Sequence, residues 1–338
     1  MSAPTIVTDL NRALRECFAA DARVVLWGED VLSPYGGAFK VTAGLSGEFP
    51  SRVFTTPISE AAIVGLGVGA ALRGLRPVVE IMFGDFVMLA ADQLVNHAAK
   101  FAGMYNGAVK VPLVVRTPMG GYRGYGPTHS QSLEKHLLGV PGLQVVAVNH
   151  FTSPGELLKT AIMGGAGPVL FIENKVLYAQ AVQRGGDGVI EVQEFADDSG
   201  YPLVRVSNFS AAAKPDLTAV ACGGLSWPWE QALRALAADE IRVELFLPTL
   251  LSAPPTTAIV ESVVRTGRLL ASEEGTHGFG FGAEIIARVA EAIGATQRVK
   301  YRQVGAVPVV IPSARSLERE MLPSVETLTS AALAMIQL

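Results

Sequence analysis

Between Thr8 and Asp21 apolar residues recur every three or four positions in TDLNRALRECFAAD, behind a Thr/Asp start. That spacing predicts an amphipathic helix with one buried face. The pattern then closes into a solid apolar run, RVVLWGED at 23–30, which predicts a buried strand ending in a turn. Helical spacing returns over 60–72, followed by the strand RPVVEIMF at 76–83 and a helix over 86–102. Strands at 111–116 and 143–149 (LQVVAVN), a helix from Pro154 and the strand PVLFIEN at 168–174 complete the first half. Strands taking turns with helices predict a mostly parallel sheet flanked by helices, the α/β class. Residues 181–216 change character: they are polar, contain Gly and Asp, and are weakly periodic, as a domain linker would be. After them DLTAVACGG, a helix near 227–238, IRVELFLP, a helix around 256–265, GRLLASEE and a helix over 282–293 predict a second α/β unit. The expected division is a first domain over 1–185, a linker over 186–215 and a second domain over 216–338, with no internal repeat.

Length and composition narrow this picture. At 338 residues the chain has room for two cores of ordinary size. It is 49% hydrophobic with a mean hydropathy of +0.35, yet no uninterrupted apolar run reaches the ~18 residues of a membrane span. The N-terminus lacks the basic start and apolar stretch of a secretory leader. Cys17 and Cys222 lie far apart and give neither metal spacing nor a disulfide framework, so a reduced, cytoplasmic protein is expected. A net charge of −4 with scattered Lys and Arg excludes a nucleic-acid footprint. The surplus of Ala, Gly and Val over charged residues predicts surface that is buried in an oligomer.

Several motifs carry a chemical reading beside a plain one. Gly65, Gly67 and Ala70, and again Gly278, Gly280 and Ala283, have the G-x-G-x-x-A form of a dinucleotide loop. The first set falls inside the predicted helix, where small residues serve close packing. GGDG at 185–188 begins like a Mg²⁺–diphosphate motif, but only Asn208 follows at a plausible distance, and a solvated turn is the better reading. Glu60 opens an otherwise apolar helix. It is either a carboxylate favoured by the helix dipole or a carboxyl group held in an apolar pocket to exchange a proton with a heteroaromatic nitrogen. The stretch GGYRGYGPTHSQSLEKH at 120–136 ends an apolar run in glycines and hydroxyls. Its glycines would let backbone approach a ligand closely, and Thr128, Ser130 and Gln131 could fix the tautomer of His129. His97 and His136 read as surface or interface residues, Phe83 and Phe86 as core or as a surface for a flat ring. Glu273, Glu274 and His277 read either as functional residues or, as explains most of the stretch, as a capped, Gly-rich turn.

Taken in order, GEDV…GGAFKVTAGL, RVFTTPISEAAIVGLGVGAALRGLRPVVEIMFGDF, DQLVNHAAKF, VPLVVRTPMGG, THSQSLEKHLLGVPGLQVV and PVLFIENKVLY resemble the β subunit of the thiamine-diphosphate-dependent decarboxylase of 2-oxo acid dehydrogenase complexes. The resemblance resumes at SVVRTGRLLASEEGTHGFGFGAEI and LPSVETL, so it covers most of the chain. It implies a transketolase-like pyrimidine-binding domain followed by a transketolase C-terminal-like domain. It also implies a separate α subunit that holds Mg²⁺ and the diphosphate, with active sites at the α/β interfaces of an α₂β₂ tetramer. By position, Glu60 matches the glutamate that hydrogen-bonds the aminopyrimidine nitrogen of thiamine diphosphate. Proton exchange there prepares the cofactor's reactive carbon to attack a 2-oxo acid. Phe86 matches the aromatic that stacks on that ring, Met82 a residue lining the same pocket, and His129 the histidine that contacts the substrate-derived adduct and assists acyl transfer.

The chain departs from the family at EIMFGDFVMLAADQ, where these subunits usually read close to EIQFADYIFPAFDQ, and at ACGGLSWPWEQAL and ELFLPTLLSAPPTT in the second domain. The second domain helps dock the lipoyl acyltransferase core, so its divergence bears on that partner rather than on the thiamine chemistry. Transfer to a lipoyl group is the leading expectation. A carboligase or split transketolase that joins the acyl group to a carbonyl compound is the alternative, and a scaffold subunit without chemistry is the third.

Overall fold

The computed structural model describes residues 3–210, 213–295 and 297–337. Strands β1 (Val24–Gly28), β2 (Val53–Thr55), β3 (Arg76–Glu80), β4 (Val114–Met119), β5 (Gln144–Ala147) and β6 (Val169–Asn174) form one sheet in the order β2-β1-β3-β4-β6-β5. All of its pairings are parallel. Parallel strands need crossovers, and the crossover helices cover both faces. Helix Ile6–Ala20 packs Leu10, Leu14 and Phe18 against the Val24, Leu26 and Val114 face. Helix Glu60–Leu72 packs Val64 and Val68 against the Val79 and Val115 face. Burial on both sides explains why β1 reads as a solid apolar run and why β4 and β6 begin with one, before the buried Arg116 and Glu173 that pair with each other.

The second sheet contains β7 (Glu191–Phe195), β8 (Leu203–Ser207), β9 (Leu217–Ala221), β10 (Val243–Pro248), β11 (Arg268–Thr276) and β12 (Lys300–Ala306), in the order β12-β11-β9-β10-β8-β7. Strands β9 to β12 are parallel, while β8 and β7 run antiparallel at one edge. The stretch 186–215, expected to be a plain linker, therefore carries two strands of this sheet. The edge strand β7 is largely exposed, so its sequence lacks an apolar stripe although its backbone extends the ladder.

Other differences are local. The helix expected over 86–102 is a succession of a 3₁₀ segment Gly84–Ala90, a π-type segment Gln93–Ala98 and a short α-helix Phe101–Met104. Strand β2 is three residues long, too short to leave a period. Two C-terminal helices, Arg315–Met321 and Val325–Ile336, follow β12, the second opened by a Ser324/Thr327 capping box.

The two sheets meet through backbone hydrogen bonds, Leu251 N–H to Val145 O at 2.8 Å and Ala147 N–H to Thr249 O at 2.9 Å. One apolar cluster runs across the junction from Val145 and Leu143 to Leu251, Phe281 and Ile285. Among the described residues no helix is long and apolar enough to cross a membrane.

Candidate functional site

Ligands of open parallel sheets gather beyond the carboxyl ends of the strands. Four neighbouring strands deliver the candidate residues to that edge. Glu60 opens the helix after β2, Glu29 follows β1, Met82 and Phe86 follow β3, and the 120–132 loop follows β4.

Glu60 is 6% exposed and forms no ion pair among the described residues. Its N-cap, Ser59, makes no side-chain capping bond. Glu29 is equally buried, and its Oε1 has no hydrogen-bond partner among the described residues. Burial, then the neighbouring charges of Glu60, Asp30 and Glu80, push the Glu29 carboxyl above its usual range. Beneath this edge Arg116 is wholly buried between Glu80 and Glu173, with Nη1 2.8 Å from Glu80 Oε2 and Nε 2.7 Å from Glu173 Oε1.

An aromatic wall stands on the next strand ends. The rings of Phe83 and Phe86 are 6.5 Å apart at 90°. The imidazole of His129 meets both edge-on, 4.8 Å from Phe83 and 5.2 Å from Phe86. Thr128 Oγ1 lies 3.0 Å from His129 Nδ1, so this ring nitrogen is engaged within the loop. Met82 is half-buried just before this wall. The structure thus brings Phe86 and His129 into contact and sets Glu60 on the same sheet edge.

Sequence reasoning missed the groups that hold the loop. Lys175 is fully buried and donates from Nζ to His129 O at 2.9 Å. Burial lowers its ammonium to about 8, against the favourable charges of Asp85, Glu274 and Glu318. Asp85 Oδ1 accepts from the Gln131 backbone at 3.1 Å and side chain at 2.9 Å, while its buried Oδ2 has no partner. Glu274 accepts from Gly121 N–H at 2.6 Å, and Glu318 from Gly124 N–H at 2.7 Å. Glu318 lies 194 residues beyond Gly124, a separation at which no local signal could have linked them.

The glycines of the loop also have a cause besides the one expected. A Cβ on Gly121 would sit 2.5 Å from Leu322 Cδ1, on Gly124 2.7 Å from Arg315 Cγ, and on Gly126 2.5 Å from Ser313 Oγ. The second domain fills the space beside them. Their smallness serves close packing between domains, and at Gly124 and Gly126 φ values of 71° and 81° favour glycine as well.

The plain readings hold for the other motifs. A Cβ on Gly67 would meet Leu113 Cδ1 at 2.7 Å, so the first G-x-G-x-x-A is a helix packed on its sheet. At the second, Glu273 accepts from Phe281 N–H and Gly282 N–H and so fills the helix N-terminus with the chain's own carboxylate. Asp187 of GGDG accepts from Ile190 N–H and pairs with Arg234, and Asn208 bonds Leu233 O, Ile241 O and Val243 N–H. His136 and His277 are exposed, and His97 sits 3.6 Å from Asp92 at the surface. Both cysteines are free and buried.

Residues 2–180 match the transketolase pyrimidine-binding domain, and residues 210–328 match the transketolase C-terminal domain. A split-gene transketolase, titled an inactive β4 tetramer, shares the fold with a TM-score of 0.71 at 18% identity, over 98% of this chain and 97% of its own. Fold and sheet edge together define a transketolase-like pair of domains. Among relatives, the mitochondrial pyruvate dehydrogenase E1 component subunit beta-1 of Arabidopsis thaliana is 36% identical over 329 residues, 97% of this chain and 88% of that protein. The 3-methyl-2-oxobutanoate dehydrogenase subunit beta of Mycobacterium tuberculosis is 37% identical over 292 residues, 85% of this chain and 79% of that protein. The chain belongs to the family of 2-oxo acid dehydrogenase E1 β subunits, a thiamine-diphosphate-dependent family.

The residues present suit the aminopyrimidine end of that cofactor. Two buried carboxyl groups, one with an orphaned oxygen, offer a partner to a ring nitrogen, and the aromatic wall offers faces to a flat ring.

Proposed function

We propose that this chain is the β half of a heteromeric thiamine-diphosphate-dependent enzyme that decarboxylates a 2-oxo acid and passes the acyl group to a lipoyl acceptor. It works with an α subunit in an α₂β₂ assembly in the cytoplasm, docked on a lipoyl acyltransferase core. The observation that carries the reading is Glu60, buried at the carboxyl edge of the sheet beside the orphaned oxygen of Glu29. When bound, thiamine diphosphate supplies the carbon nucleophile and the electron sink for decarboxylation.

Everything else falls to the protein. Glu60 holds the ring nitrogen by a hydrogen bond and exchanges its proton there, while burial and then the charge of Glu60 close by raise the Glu29 carboxyl. Phe86 and Met82 orient the ring and keep water from it. His129, its Nδ1 engaged by Thr128, offers Nε2 to the acyl group during transfer. Asp187 is committed to Arg234 and its own turn, which favours the α subunit as the holder of Mg²⁺ and diphosphate.

The test is co-expression with the α partner, followed by CO₂ release from a panel of 2-oxo acids with thiamine diphosphate, Mg²⁺ and ferricyanide. Glu60→Gln is expected to lower turnover by about 10²–10⁴-fold, the usual contribution of a positioned proton-transfer group. Unchanged turnover in that variant would refute the role of Glu60. Product formed only with an aldehyde acceptor would replace the lipoyl reading.

A further inference from the structure

We propose that Glu318 and Glu274, two buried carboxylates of the second domain, are positioning residues for His129 and act through the 120–132 loop. The proposal rests on the reading of His129 given above and extends the working site into a domain that contributes no residue to it.

The loop leaves β4 and closes on itself through Gly120 N–H to Gln131 O at 3.2 Å. Glu274 Oε1 receives Gly121 N–H at 2.6 Å and the Ser132 hydroxyl at 3.1 Å, so one oxygen ties both ends of the loop. Its other oxygen takes Asn174 Nδ2 at 2.8 Å, which fixes the carboxylate to the end of β6. Glu318, wholly buried on helix Arg315–Met321, receives Gly124 N–H on Oε2, and its Oε1 has no partner. Hydrogen bonds from N–H to a carboxylate are about twice as strong as neutral ones.

Strain points to the same loop. Tyr122 has φ 66°, a left-handed conformation that strains a non-glycine residue and persists only where its surroundings impose it. Its hydroxyl donates to Pro323 O at 2.6 Å, just beyond the helix that bears Glu318. Arg315 Nε reaches Arg123 O at 3.3 Å. Arg123 in turn donates to Lys175 O, and Lys175 Nζ donates to His129 O at 2.9 Å. The chain of contacts ends at the backbone of the histidine. A carboxylate serving only to join domains could sit anywhere along the seam, whereas these two converge on the loop carrying His129.

The experiment uses the co-expressed α/β holoenzyme with Glu318→Ala, Glu318→Gln, His129→Ala and the double variant His129→Ala/Glu318→Ala. Hydrogen exchange of the 120–126 amides is measured beside two rates, decarboxylation with ferricyanide and acyl transfer to lipoamide. Glu318→Ala is expected to speed exchange in the loop. It should slow acyl transfer by about 10–100-fold, as a displacement of about 1 Å does, with a smaller effect on decarboxylation. Glu318→Gln, whose amide oxygen still accepts from Gly124, should recover most of the transfer rate, and the double variant should transfer no more slowly than His129→Ala alone. Faster exchange with a wild-type transfer rate would make Glu318 a scaffold residue and overturn the proposal, as would unchanged exchange. If His129→Ala itself transfers normally, the reading of the histidine fails, and the exchange arm alone then reports whether Glu318 holds the loop.

Discussion

Glu134 shows how much a single carboxyl group depends on the other domain. It is 6% exposed near the seam, and burial raises its carboxyl to about 7, with Glu274 and Glu273 adding to the shift. Between pH ~4.5 and 7 the folded protein therefore binds more protons at this position than the unfolded chain, and stability falls as pH rises through that window. Glu134→Gln removes the charge. Its unfolding free energy is expected to match the parent near pH 4 and to exceed it by about 3 kcal/mol at pH 8, where the parent must ionise a buried carboxyl. Parallel pH–stability curves for the two proteins would show that Glu134 is solvated. Nothing in EKH around residue 134 signals this. Glu60 was legible because a lone carboxylate at the head of an apolar helix is unusual by itself. Glu134, Glu318 and Lys175 sit among ordinary charges, and only the packing of distant segments makes them matter.

At the level of elements, β1 and β3 show why one glycine is fixed. A Cβ on Gly28 would lie 2.7 Å from the Glu80 carbonyl oxygen and 3.1 Å from its Cβ. The neighbour is backbone of a paired strand and cannot turn aside without opening the β1–β3 ladder. Gly28→Ala is expected to cost about 1–3 kcal/mol, as overpacking does, seen as a lower urea midpoint with an unchanged slope. An unchanged midpoint would mean that the sheet relaxes freely there. The long, strongly patterned elements were legible for a physical reason: a strand covered on both faces must be apolar throughout, and a helix on a sheet needs one stripe. Strand β2 is too short to show a period, and β7 is an edge strand whose partner supplies its order. The expected helix over 86–102 failed as a regular α-helix, its first segment tied at Asp85 to Gln131.

For the molecule as a whole, the domains are pinned as well as packed. His150 follows β5, and its Nδ1 lies 2.8 Å from Ser226 Oγ and its Nε2 2.9 Å from Glu230 Oε2, both on the first helix of the second domain. The residue types match a hydrolytic triad, but Ser226 is wholly buried and His150 2% exposed, so the group is a clasp and not a nucleophile. His150→Ala leaves Ser226 unpaired and is expected to lower stability by about 1–3 kcal/mol. It should also speed proteolysis over 181–190, because Gln183 N–H bonds the backbone carbonyl of residue 150 at 2.7 Å and that segment loses its side-chain anchor on the second domain. Unchanged melting and cleavage would show that this clasp does not hold the domains together. The sequence by itself determined the class of fold, the mostly parallel first sheet and the family, and it set Glu60 at the head of a helix and His129 at the end of a glycine loop, because periodicity and local motifs are properties of neighbouring residues. The tertiary structure decided which carboxylates face one another, why the 120–126 glycines are small and which domain holds the histidine loop. Those depend on residues that meet only when chain segments far apart in sequence fold together, such as Gly124 and Glu318, 194 positions apart.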